Sequence, residues 1–342
     1  MIKRLIPFFA LIVLLIATGC NNRVPDSQQV AKDERIVIKF SHVVAEDTPK
    51  GMAAKRFADL VRERSGGYIE VQVFPNSQLY KDGEELEALK RGDVQMLAPA
   101  TSKLSAMFPE WQVLDLPYAF PDLGSVHAFL DGPVGQQLFQ DLSREKFLGL
   151  AMWDNGFKQM TNNRRPLITP TDFQGLRFRV MTAKVLQEQF KALGAMGQPM
   201  AFNDVYSALA NGSVDGQENT ISNIYTQKFA AVQDYLTISN HGYIGYVVMT
   251  NADFWQKLHP GAKKILEDAL REVTEWEREK SVELNEKQLA ELKKQGSLKI
   301  HVLTKQEQQA WQQSFAPVYK QMENESSPAL MRAIRQLREQ GE

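Results

Sequence analysis

EALKRGDVQMLAPA, residues 87–100, and SALANGSVDGQENT, residues 207–220, carry one pattern twice. A short helix ends at a glycine, Gly92 in one copy and Gly212 in the other, and the chain then becomes extended. Working outward from the first copy, IVIKF (36–40) reads as a strand and AAKRFADLVRER (53–64) as an amphipathic helix stopped by Gly66 and Gly67. YIEVQVF (68–74), the helix EELEALK (84–90) and the strand DVQML (93–97) follow. The second copy repeats the order with LRFRV (176–180), the helix AKVLQEQFKAL (183–193) before Gly194, and extended QPMAF (198–202). It closes with a helix NDVYSALA (203–210) capped by Asn203 and extended SVDGQEN (213–219). Two β-α-β-α-β units require parallel strands under covering helices. The expected fold class is α/β, with two lobes and a cleft between them.

Ligands of open α/β sheets sit beyond the carboxyl ends of the strands. That rule singles out SHVVAEDTPKG (41–51), APATSKL (98–104), RVMTAK (179–184) and QENTISN (217–223). Further along, Pro260 to about Lys294 holds no proline or glycine after the first turn, and Gly296 provides a stop. A helix of that length spans about 50 Å at 1.5 Å per residue. It is long enough to run along both lobes and brace them, although its Glu/Lys-rich surface also suits a solvated face or a coiled-coil dimer.

The 342 residues suffice for two domains, and 40 basic against 41 acidic residues give no reason to expect nucleic acid or an anionic membrane surface as partner. The N-terminus differs in kind. Lys3 and Arg4, an apolar run from Leu5 to Ile16, and then Ala17, Thr18 and Gly19 read as a signal peptide over residues 1–19. Cys20 is the single cysteine, so no internal disulfide is expected. Its place after small residues resembles a bacterial lipoprotein cleavage box, with Ala17 departing from the usual larger aliphatic. Lipidation at Cys20 and a flexible tether over residues 20–34 are the resulting expectations.

Enzyme chemistry finds no foothold. His42, His127, His241, His259 and His301 show no metal-ligand spacing, and no GxSxG elbow, Walker loop or GxGxxG is present. No catalytic residue, metal or cofactor is therefore expected. Binding remains. In GLRFRV (175–180), Arg177 and Arg179 share the polar face of a strand; WDNGFKQM (153–160) sets Lys158 in a glycine-containing turn; Asn219 ends the last strand of its repeat. Two cations and an amide around one cleft suit a small dianion, with arginine offering a planar fork to a carboxylate. A solvated strand arginine and an exposed turn lysine are the commoner readings of each residue alone.

The segments WDNGFKQM, GLRFRV, MAFNDVYSALANGSVDGQEN and YLTISNHGYIGY, with IKFSHVVAEDTPKG and VFPNSQLYKDG nearer the N-terminus, resemble the solute-binding proteins of tripartite ATP-independent periplasmic (TRAP) transporters. The C4-dicarboxylate branch is the nearest, since the NGFKQ turn carries Lys158 where the sialic-acid branch has arginine. The resemblance implies a periplasmic-binding-protein-like fold with lobe I from residues 35–154 and 245–284 and lobe II from 155–244 and 285–342. It also implies periplasmic capture of malate, succinate or fumarate for delivery to a small and a large membrane subunit. Arg179 is then the residue that pairs with substrate carboxylate, leaving Arg177 solvated. Asn219 and Phe202 stand beside the ligand, and Ser41, His42 and Lys50 serve a distal carboxylate or hydroxyl. Another organic acid (sugar acid, keto acid or sialic acid) as ligand, or a sensor role, stays open at this stage.

Overall fold

The structure, a computed structural model, describes residues 35–341; the expected signal peptide, Cys20 and the tether lie outside them. The first half runs β1 (Ile36–Ser41), α1 (Pro49–Arg64), β2 (Ile69–Phe74), α2 (Glu85–Arg91), β3 (Met96–Leu97) and α3 (Thr101–Leu104). Helices α4 (Leu123–Asp131) and α5 (Pro133–Asp141) lead to β4 (Phe147–Phe157) and β5 (Gln159–Asn162). The second repeat is β6 (Arg177–Val180), α6 (Lys184–Ala192), β7 (Met196–Pro199), α7 (Val205–Ala210), β8 (Gly216–Asn219) and α8 (Ile221–Thr226). Then come β9 (Tyr235–Ile238), β10 (Tyr243–Asn251), α9 (Ala252–Lys257), α10 (Pro260–Gln295), β11 (Lys299–Val302), α11 (Lys305–Ser314), α12 (Ala316–Glu325) and α13 (Pro328–Gly341).

The doubled pattern becomes two sheets, ordered β2-β1-β3-β10-β4 and β11-β9-β5-β8-β6-β7. Each contains the expected parallel trio, β2-β1-β3 in one and β7-β6-β8 in the other. Antiparallel strands extend both trios, which the repeat alone did not foretell. They arise because the chain changes sheet twice. It passes from β4 to β5 through Lys158 alone, and it returns between β9 and β10 over residues 239–242. The divisions expected at 154/155 and 244/245 fall inside β4 and β10, a few residues from these crossings. The end of the chain departs more from expectation: α12 packs on α6, whereas α13 packs on α5 of the first half, so residues 285–342 do not stay with one lobe.

Local chemistry explains the elements that matter for the site. Thr48 caps α1 by accepting from the Gly51 amide at 3.1 Å, and Pro49 occupies the first turn, where its missing N–H costs nothing. Ala53, Ala54, Phe57 and Val61 bury one stripe of that helix, and Lys50 is buried on its first turn. The short helix expected from residue 203 instead begins as a 3-10 turn at Phe202–Asp204 and becomes α7 at Val205. Asn203 is not its cap, because its side-chain oxygen accepts from Ser77 Oγ in the other half at 2.9 Å.

Helix α10 spans 36 residues, capped by His259 Nδ1 at one end and by left-handed Gly296 at the other. Leu266, Ala269, Leu270 and Val273 join the larger apolar core, and Leu292 joins a second core with Phe202, Val205, Leu209 and Leu236. One helix thus anchors in both cores. Among the described residues no helix is long and apolar enough to cross a membrane.

The segment expected to turn at Gly156 is continuous strand, and the glycine is needed there for its backbone, at φ 108°. An added Cβ would stand 3.3 Å from Asn285 Nδ2, the amide that holds the Asn155 carbonyl. Gly156→Ala is expected to cost about 1–3 kcal/mol in urea unfolding from backbone strain; unchanged stability would refute the strained geometry.

Candidate functional site

The loops after the strands of both halves meet at one cavity. Lys50, Asp82, Glu85 and Lys103 line it from the first half, and Arg179, Phe202, Asn219 and Asn223 from the second. Tyr246 of β10 completes the wall.

Arg179 is the dominant feature. Strand alternation gives it the same face as Arg177, yet its side chain is buried to 1% exposure. Its Nε and Nη2 both donate to the Met200 carbonyl, at 3.1 and 2.9 Å, and Cζ lies 5.9 Å from the Phe202 ring centre. Among the described residues no carboxylate pairs with this guanidinium. Burial draws its pKa down, opposed by the fields of Asp82 and Glu218. Arginine keeps its proton in any protein setting, so the group is a buried cation. Beside it, Asn219 Oδ1 is engaged by the Thr220 amide at 3.1 Å and Asn223 Nδ2 at 2.8 Å. The amide is oriented by those bonds, leaving its N–H donors for the cavity.

Lys50 is the matching cation of the first half. Its Nζ donates to the Ala98 carbonyl at 2.8 Å and sits 3.7 Å above the Tyr246 ring. It too makes no ion pair among the described residues; burial lowers its pKa and the fields of Glu85 and Asp82 oppose that. Lys103 is already neutralised, since Asp82 Oδ2 lies 2.8 Å from its Nζ. The same oxygen accepts from the Phe202 amide across the cleft, also at 2.8 Å. With Ser77 on Asn203 and Ser102 Oγ on Met181 Sδ, these contacts hold the halves together over the cavity. Val44 completes the closure by packing into the core of Phe202 and Val205.

The chain matches, over residues 40–326, the family described as bacterial extracellular solute-binding protein, family 7. It belongs to that family. The C4-dicarboxylate-binding protein DctB of Bacillus subtilis is 50% identical over 321 residues, covering 94% of this chain and 92% of that one. A TRAP periplasmic solute-binding protein from Sulfurospirillum deleyianum, solved with bound succinate, is 43% identical at TM-score 0.86 and covers 89% of this chain and 99% of that one. A third, from Pseudomonas aeruginosa with bound L-malate, is 38% identical at TM-score 0.81, covering 84% and 99%.

The residues at the strand crossings are as telling as those at the cavity. Lys158 was expected to face the ligand, but it is fully buried with Nζ 2.8 Å from Glu218 Oε1 and does not line the cavity. Continuous strand through Phe157 carries it inward, where Glu218 of β8 is waiting. His241, on the other crossing, faces Glu218 Oε2 at 2.8 Å and Ser239 Oγ at 2.7 Å. Burial pushes the imidazole pKa down despite Glu218, so the neutral ring donates from Nε2 and accepts at Nδ1. Glu218 therefore ties both crossings to the strand that ends at Asn219.

The remaining expectations sort plainly. Ser41 and His42 are buried but do not line the cavity; Val43 and Val44 of the same loop do. Burial and then Lys50 lower His42 to about 3, which keeps it neutral. Arg177, expected to be solvated, is half-buried and pinned by Asp215 Oδ2 at 3.3 Å and the Gly212 carbonyl at 2.7 Å. Asp82, Glu85, Lys103, Asn223 and Tyr246 were missed. Lys103 and Asn223 stood inside the post-strand loops already marked, and only three-dimensional closure separates them from their neighbours.

Burial would raise the Glu218 pKa, but Lys158 and His241 outweigh it and hold the carboxyl at about 2. Its stabilisation is full above pH 4.5 and is lost as pH falls through about 2. Glu218→Gln strands the Lys158 ammonium and is expected to cost about 3–5 kcal/mol in denaturant unfolding. A loss under about 1 kcal/mol would contradict a buried pair at the crossings.

Proposed function

We propose that the chain is the extracytoplasmic solute-binding subunit of a TRAP transporter, capturing a C4-dicarboxylate such as succinate, malate or fumarate and delivering it to the membrane permease. One observation carries the substrate class. Arg179 and Lys50, buried cations from opposite halves, face a single cavity and neither has a carboxylate partner among the described residues. A short diacid supplies both partners at once. The relatives named for C4-dicarboxylates and the neighbours solved with succinate and malate support the same reading.

In this reading one carboxylate lies on the free edge of Arg179 with Asn219 beside it, and the other reaches Lys50. Phe202 packs on the carbon chain. The ligand joins the lobes, and expulsion of water lowers the local dielectric and strengthens both pairs, against the cost of desolvating them. Only a difference in affinity between open and closed forms shifts that equilibrium, and a ligand touching both halves has one. The permease then recognises the closed surface. Cys20, when lipidated, would tether the protein to the membrane from the periplasmic side, with residues 20–34 as the leash. The chain binds its ligand and leaves it chemically unchanged.

A ligand held by the native state at a hundred times its Kd adds about 2.7 kcal/mol of stability, so a thermal-shift panel separates the candidates. Succinate, fumarate and malate are expected to raise Tm, and sialic acid, gluconate and pyruvate to leave it near its starting value. By calorimetry Arg179→Ala is expected to weaken succinate binding roughly thirtyfold or more, from losing one partner of a buried charge pair. Arg177→Ala, which leaves Asp215 paired with Arg164 and touches no residue of the cavity lining, should change affinity less than about threefold. Equal losses from the two variants, or no shift with any C4 acid, would defeat the reading.

A further inference from the structure

Glu85 has no place in the binding scheme so far, yet it lines the cavity beside Lys50 and is only 3% exposed. Its Oε1 is buried without a hydrogen-bond partner, and it forms no ion pair among the described residues. The charged groups facing it are Lys50 on α1, Asp82 in the loop before α2, Lys103 on α3 and Arg179 on β6; Tyr246 on β10 is un-ionised. His42, near Lys50, is neutral, and Glu218 is balanced by Lys158.

Charge in so dry a space must nearly cancel. Lys50, Lys103 and Arg179 are three cations, and Asp82 is one anion. A bound dianion brings the total to zero only when Glu85 is uncharged. An ionised Glu85 leaves a surplus negative charge close to the diacid. A neutral Glu85, in contrast, offers an O–H that requires an acceptor, because an unsatisfied buried donor is costly. Asp82 Oδ2 already takes Lys103 and the Phe202 amide, and a ligand carboxylate in the same cavity is a further acceptor for that hydrogen.

We propose that Glu85 is protonated in the dicarboxylate-loaded cavity and donates its hydrogen to the ligand, which links capture of a dianion to proton binding at this side chain. The inference rests on the dicarboxylate reading and deepens it, making Glu85 a determinant of the charge of the acid accepted. A monoanion balances the same cavity with Glu85 ionised, so raising the pH is expected to favour monocarboxylates over C4 diacids. The direction of the free-protein pKa agrees: burial raises Glu85 to about 8. Loading with a dianion moves it further up, so while succinate stays doubly ionised its affinity is flat below about pH 8 and weakens as the pH rises beyond it, up to about tenfold per unit from Glu85 alone.

Lys50 would also take up a proton under those conditions, so affinity alone does not assign the site. Infrared difference spectroscopy, succinate-loaded minus ligand-free protein at about pH 9, does, because a protonated carboxyl has a C=O stretch that no carboxylate shares and a buried acid protonated in both forms, such as Glu277, cancels. The band is expected in the loaded wild type, absent from Glu85→Gln, and unmoved when the succinate is 13C-labelled at its carboxyl carbons. A loaded wild type without the band overturns the proposal, as does a band that persists in the variant or follows the ligand's label. Calorimetry at neutral pH comes first. A wild type that fails to bind succinate there overturns the dicarboxylate reading itself, whereas binding without the band overturns only the role of Glu85.

Discussion

The guanidinium of Arg179 is sealed from water with one edge on the Met200 carbonyl and, among the described residues, no carboxylate paired with it. Such a charge costs several kcal/mol unless an anion meets it. The rest of the molecule is organised around that unmet requirement. A fixed internal carboxylate would relieve the cost and leave nothing for a ligand to do. Leaving the position free makes closure around an organic acid more favourable than closure around nothing, which is what a binding protein needs in order to report its loaded state.

The architecture presents this cation from one body and Lys50 from another. Two parallel trios, grown from one repeated pattern, direct the carboxyl ends of their strands at each other. The bodies are joined by crossings at Lys158 and residues 239–242 and are spanned by α10, whose ends lie in different apolar cores. Over the cavity they meet mainly through Val44 and a few polar contacts, Asp82 on the Phe202 amide and Ser77 on Asn203 among them. Contacts of that size form and break far more readily than a continuous core. Glu218 links the two functions: it fixes Lys158 and His241 at the crossings and stands immediately before Asn219 at the cavity.

Much of this was legible in the sequence. The glycine-stopped helices of the two repeats marked both trios, and the uninterrupted run from Pro260 marked α10 within a residue of its end. Strand alternation put Arg177 and Arg179 on one face, and the resemblance of GLRFRV to the family was what singled out Arg179. Lys158 was misread because a glycine at positive φ can sit inside a strand as well as in a turn, and the ion pair that draws the lysine inward lies 60 residues away in sequence. Asn203 was misread for a related reason, since a good cap residue was taken over by a partner in the opposite half. Glu85 and Tyr246 carried no local signal at all. An acid at the start of a helix and a tyrosine in a strand are ordinary, and only the meeting of the two sheets makes them part of a wall.

The most direct test of the central claim is a crystal structure of the protein grown with succinate. The account predicts one carboxylate against the free edge of Arg179, the other within ion-pair distance of Lys50, and closed lobes around both. Succinate bound away from Arg179, or that guanidinium paired with a carboxylate of the protein while the acid lies elsewhere, would contradict it.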